Sequence, residues 1–124
     1  MTDANITLDT DSITQLREAL RQFAAERDWA QFHSPKNLAI AVSVEAGELL
    51  ERFQWLTAKQ SEALPEGDLG KVRLELADVL LYLVSLSDKL GVDLIAAAFE
   101  KLDINAKKYP VERAKGTAKK YTEL

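Results

Sequence analysis

Residues Leu38–Leu50 read LAIAVSVEAGELL, and residues Leu74–Leu86 read LELADVLLYLVSL. Wound into a helix, each stretch is apolar around nearly its whole circumference. A helix of that kind is buried on more than one side. The acidic residues within the two stretches are Glu45 and Glu48 in the first, Glu75 and Asp78 in the second. The pattern predicts an all-α fold, a four-helix bundle-like packing with these two segments at its centre.

Glycine and proline punctuate the rest of the chain. Asp11 or Ser12 can cap a first helix running to about Arg27, with Ile13, Leu16, Leu20, Phe23 and Ala24 at helical spacing. Ser34-Pro35 reads as the N-cap and first residue of a second helix extending to about Ala58. Leu64–Asp68 reads as a turn, with Asp68 capping a third helix that passes through Leu90 and stops at Gly91. Asp93 caps a fourth, from Leu94 to about Lys108, and Tyr109-Pro110 ends it. No strand alternation and no internal repeat appears. One domain over 1–124 is expected, with a flexible segment 1–10 and a basic tail 111–124, for which disorder is one reading.

Composition narrows the function classes. With 47% hydrophobic and 29% charged residues, the 124-residue chain reads as soluble and globular. It has no cysteine, which excludes disulfides, thiolate metal sites and a cysteine nucleophile, and suits a cytoplasmic location. The acidic, polar segment 1–11 is not a signal peptide, and no apolar run is long enough to span a membrane. The net charge is −4, but from Lys107 onward six basic residues face two acidic ones. That segment carries +4, which leaves −8 on the body. An acidic body argues against nucleic acid as a partner and for a gathered cation site. Two all-round apolar helices need more covering than so short a chain supplies, so a homo-oligomer is expected.

The four acids carry the chemistry. Within each pair the i, i+3 spacing places both carboxylates on one helical face, where like charges repel. Burying them unpaired is costly, and a hard divalent cation with oxygen ligands offsets that cost. Magnesium, or manganese in its place, shares its shell with substrate phosphates. The competing reading is that such pairs are common on solvated helix faces; the apolar flanks of both pairs count against it. The same faces carry Lys71, Arg52, Tyr82 and Trp55 at helical spacing. Tyr82 is either a phosphate or sugar contact or a core tyrosine, and Trp55 either a base-stacking residue or a packing contact. Lys101, Asn105 and Lys108 form one polar stripe, able to reach a triphosphate or simply solvated. His33, the single histidine, lies in the turn from Trp29 to Pro35, as a packing residue or substrate contact rather than a catalytic base. One histidine supplies neither a multi-imidazole zinc site nor a ferritin-like di-iron bundle. No Walker A or dinucleotide-binding glycine motif is present, and no serine has a suitably placed histidine.

Taken together, these residues resemble the MazG-type nucleotide pyrophosphohydrolases, and within them the dCTP pyrophosphatase branch. The resemblance rests on Glu45-x-x-Glu48 followed by Glu75-x-x-Asp78, on Phe23–Trp29 with Phe32–Leu38, on Phe53-Gln54-Trp55, on Lys101–Asn105 with Lys108–Val111, and on the ending Lys120–Leu124. It covers about residues 13–124. It implies Mg²⁺ held by Glu45, Glu48, Glu75 and Asp78, and water attack on the α-phosphorus of a dNTP, giving dNMP and pyrophosphate as nucleotide-pool housecleaning. It also implies a tetramer built from dimers with sites between subunits. In that branch Trp29 and Trp55 line the base pocket, while Tyr82, Lys101 and Asn105 hold sugar and phosphates. Leu20 stands where eukaryotic members carry a pocket histidine, so base choice is where this chain departs from the pattern. The expected substrate is dCTP or a 5-modified dCTP, with Glu48 acting on the attacking water. The alternatives are other modified or non-cytosine dNTPs, dUTP among them, and a non-enzymatic helical interaction module.

Overall fold

The computed structural model describes residues 12–124. The expectations placed on segment 1–11, its flexibility and the Asp11 cap, lie outside the described residues. All regular structure among the described residues is helical, as predicted. Helix α1 spans Ser12–Glu26. A single 3-10 turn, Ala30–Phe32, follows it. Helix α2 spans Pro35–Glu51, with the Ser34 hydroxyl accepting from the Asn37 N–H at 3.1 Å. Helix α4 spans Glu66–Leu90 and ends at Gly91, whose φ of 67° is the left-handed conformation that glycine tolerates. Helix α5 spans Leu94–Lys108, and the Asp93 carboxylate accepts from the Ala96 N–H at 3.0 Å.

Two boundaries differ from the sequence reading. The second helix stops at Glu51 rather than near Ala58, and residues 52–56 form turns. A one-turn helix α3, Ala58–Ser61, restarts the chain. Its capping box explains the restart: Thr57 accepts from Gln60 N–H, and the Gln60 side chain accepts from Thr57 N–H. The next helix begins at Glu66 with Pro65 as N-cap, so Asp68 lies inside its first turn instead of capping it. There its charge, with that of Glu66, favours the positive end of the helix dipole.

The chain divides into two compact units, one ending at Gly91 and the other running from Val92 to Leu124. In the first unit α4 packs against both α2 and α1. Leu38 of α2 and Val72 and Val84 of α4 are its buried apolar residues. Each contributes roughly 1.5–3 kcal/mol by leaving water. Arg21 of α1 grips Asp88 of α4 through two hydrogen bonds, Nε at 2.8 Å and Nη2 at 2.5 Å. This fork-to-carboxylate geometry is the stronger form of an ion pair. It holds the Asp88 carboxyl below the usual aspartate range, chiefly through the hydrogen bonds from Arg21. The apolar surface of α2 and α4 is only partly covered: Ile40, Val44, Leu50, Leu74 and Leu76 each expose more than half their surface.

In the second unit, Val111–Ala114 forms the one-turn helix α6, and Tyr121–Glu123 a 3-10 turn. The basic tail is thus not structureless. Tyr121 meets Tyr109 edge to face at 5.9 Å, and the Lys108 ammonium lies 4.9 Å from the Tyr121 ring centre. No helix among the described residues is long and apolar enough to cross a membrane.

Candidate active site

Helices α2 and α4 present their acidic faces to one another. Glu45, Glu48 and Glu75 each offer an oxygen, and the three oxygens lie within 4.8 Å of one another. Burial pushes the Glu45 carboxyl up to about 7. The adjacent Glu48 carboxylate and the charges of Asp78 and Glu75 act in the same direction. Glu75 is pinned from one side, where Arg52 Nη2 donates to Oε1 at 3.3 Å. Its other oxygen, Oε2, is buried with no hydrogen-bond partner, and so is Oε2 of Glu45. Two partnerless buried carboxylate oxygens beside a third acid fit a bound cation, because a buried acceptor without a partner is costly. An all-oxygen set suits a hard divalent ion. Asp78 acts on Glu45 through its charge but stands outside the three-oxygen group.

Asp78 also reaches a second feature. A cavity of about 230 Å³ opens between α1, the turn around His33 and the middle of α4. Leu20, Phe23, Trp29 and Leu81 give it apolar walls, with Phe23 and Trp29 edge to face at 5.7 Å. Asp78, Tyr82, His33 and Ser85 supply the polar groups. An apolar slot with a few polar groups, beside an acidic cluster, can hold a flat heterocycle whose charged end lies at the acids.

The predicted residues therefore separate into groups. Glu45, Glu48 and Glu75 meet as expected, and Trp29, His33 and Tyr82 converge on the slot with Asp78 between the two features. Trp55 does not line the slot; it sits on the turn after α2 and is 86% exposed. Lys101, Asn105 and Lys108 belong to the second unit, on α5. Phe23, Leu81 and Ser85 were missed as site residues. Ser85 lies seven residues after Asp78 and three after Tyr82, a helical repeat that could have flagged it.

Comparison with known proteins identifies the family. Residues 40–124 match the model of the MazG-like family. Human dCTP pyrophosphatase 1 is 44% identical over 117 residues, covering 91% of this chain and 68% of the relative. The rat protein of the same name is 43% identical over 115 residues, with the same coverage. A crystal structure of a pyrophosphatase from Archaeoglobus fulgidus superposes with a TM-score of 0.77 at 38% identity, over 86% of this chain and 99% of that one. With an all-helical fold, paired acids on facing helices and relatives this near over most of its length, the chain belongs to the MazG-like family.

Proposed function

We propose that this protein is a nucleotide pyrophosphohydrolase that converts dCTP, or a 5-modified dCTP, to dCMP or its modified counterpart and pyrophosphate, with Mg²⁺ as its metal. The observation that carries the proposal is the pair of orphaned oxygens, Glu45 Oε2 and Glu75 Oε2, within an all-oxygen cluster beside an apolar slot. The relatives named for dCTP pyrophosphatase support the substrate class.

Glu45, Glu48, Glu75 and Asp78 would hold the metal, and Mn²⁺ is a workable substitute for the same oxygen set. When bound, the ion supplies positive charge that offsets the charge developing on the phosphoryl oxygens. The rest is done by the chain's own residues. Trp29 and Phe23 pack on the base, which places the triphosphate toward Asp78. Glu48 is the most solvent-accessible member of the three-oxygen group, and it takes a proton from the attacking water. The new bond forms between water oxygen and the α-phosphorus, the α–β anhydride bond breaks, and pyrophosphate leaves. Arg52 keeps Glu75 oriented. Tyr82 holds the sugar, and Lys101, Asn105 and Lys108 are proposed contacts to the sugar and phosphates. His33 bounds the base slot without acting as a base.

The uncovered apolar faces of α2 and α4 support a homo-oligomer, a tetramer of paired dimers in our reading. In such an assembly the exposed Trp55 indole serves the site of another copy. A cytoplasmic location is the companion proposal, supported by the cysteine-free chain.

The test is a dNTP panel with Mg²⁺, including 5-substituted dCTP and dUTP, read for pyrophosphate rather than single phosphate. Glu48→Gln should lower kcat by about 10²–10⁴ while the protein stays folded. No pyrophosphate from any nucleotide, at enzyme concentrations that allow multiple turnovers, would leave the interaction-module reading in its place.

A further inference from the structure

Among the described residues, Arg52 is the basic side chain that hydrogen-bonds to the acid cluster, and it does so at Glu75. Its backbone is fixed as the C-cap of α2, where its N–H donates to the Leu49 carbonyl at 3.1 Å. It follows Glu48 by four residues, so its side chain leaves on the acidic face. From there Nη2 donates to Oε1 of Glu75 at 3.3 Å. The Glu75 side chain is only 14% exposed, against 40% for Arg52, so the acid end of the pair is the one withdrawn from water. The two oxygens of Glu75 are therefore not equivalent. Oε1 is taken by Arg52, while Oε2 is buried without a partner.

We propose that Arg52 is a positioning residue that sets the choice of ion: it limits Glu75 to one ligand oxygen and so favours Mg²⁺ over Ca²⁺. This inference rests on the reading of the acid cluster as the metal site. Ca²⁺ gathers roughly six to eight oxygens, often both from one carboxylate. Mg²⁺ is smaller, keeps several of its waters and is held through one or two carboxylates. To ligate through both oxygens, Glu75 must give up its hydrogen bond from Arg52. To ligate through Oε2 alone, it keeps that bond. The cost therefore falls on the ion that needs the second oxygen. A hydrogen bond between charged groups is worth about tenfold or more in an equilibrium constant. The positive charge of Arg52 also weakens the binding of any dication, but it does so alike for two ions of equal charge and leaves their ratio unchanged.

The experiment titrates magnesium chloride and calcium chloride separately into the full chain without nucleotide, reading binding heat and melting temperature. Arg52→Met removes the guanidinium and keeps an apolar stem. It should strengthen Ca²⁺ binding about tenfold more than Mg²⁺ binding. Arg52→Gln should move the ratio in the same direction, which keeps the test open if the methionine variant folds poorly. In Mg²⁺-driven turnover, Ca²⁺ should inhibit either variant at about tenfold lower concentration than wild type. If Arg52 only ties the end of α2 to α4, the variants melt lower in EDTA while the ratio of Mg²⁺ to Ca²⁺ affinity stays at the wild-type value, which overturns the proposal. Equal gains for both ions, the mark of a removed charge alone, overturn it as well. Wild type that binds neither ion removes the reading of the cluster as a metal site. Wild type that binds Mg²⁺, with a ratio insensitive to Arg52, leaves that reading standing and removes this inference alone.

Discussion

Replacing Glu45 with glutamine should make the metal-free protein more stable and the metal-loaded protein less so. Folding brings the Glu45 carboxyl among Glu48, Glu75 and Asp78 and partly removes it from water, raising it from 4.5 to about 7. At about 1.4 kcal/mol per pH unit, that displacement sets a ceiling near 3.5 kcal/mol. The cluster opens to solvent at Glu48, and screening at physiological salt brings the figure to about 1–2 kcal/mol. The sign follows from a pKa that is higher in the folded state. Below 4.5 both states carry the proton and no penalty exists. Between 4.5 and 7 the unfolded state ionises first, so stability is lost as pH rises, and above about 7 the full penalty applies. Glu45→Gln removes it. In thermal melts with EDTA, the variant should melt about 3–6 °C above wild type at pH 8 and close to it at pH 4.5. Saturating Mg²⁺ reverses the order. Wild type gains about 2.7 kcal/mol when the ion is at a hundred times its dissociation constant, and the variant gains little. If the variant melts at or below wild type in EDTA at pH 8 and keeps the full Mg²⁺ upshift, Glu45 neither suffers the predicted repulsion nor ligates the ion.

Other substitutions test the frame around the site. Asp88→Asn breaks the fork from Arg21 between α1 and α4, and it should lower the melting temperature at pH 7. Because the folded Asp88 carboxyl is depressed, its contribution is present at neutral pH and lost as pH falls through and below the ordinary aspartate range. The gap between variant and wild type should therefore close in melts near pH 3; a gap of unchanged size there would show that the ion pair is not its source. Gly91→Ala places a side chain at a φ of 67° with nothing within 4 Å of the new Cβ, so only backbone strain opposes it. A loss of about 1 kcal/mol in denaturant melts is expected, and a neutral result would show that the α4 terminus adapts.

The helix ends that the sequence announced are those with a local chemical stop: Ser34-Pro35, Asp93 and Gly91, each acting through a hydrogen bond or a dihedral within a few residues. The errors arose where two local signals competed. Leu49, Leu50 and Phe53 continue an apolar pattern through the true end of α2, and only the Thr57–Gln60 box shows where the chain restarts. Pro65 outweighs Asp68 as the start of α4, since proline suits the boundary just before a first turn.

For the site, the sequence by itself determined the two i, i+3 acid pairs and their apolar setting, because periodicity along one helix is a local property. That local pattern alone implies a gathered cation. The three-oxygen group, the orphaned Oε2 atoms of Glu45 and Glu75, and the Arg52 clamp depend on how α2 faces α4, a rotation that no spacing within one helix specifies. The slot is tertiary for the same reason. Leu20, Phe23, Trp29, Leu81 and Ser85 come from α1, a turn and α4, and they become one wall only when those elements pack. Trp55 shows the converse: its helical offset from Glu48 suggested a shared face, but the helix ends before it, and the turn carries its indole into the open.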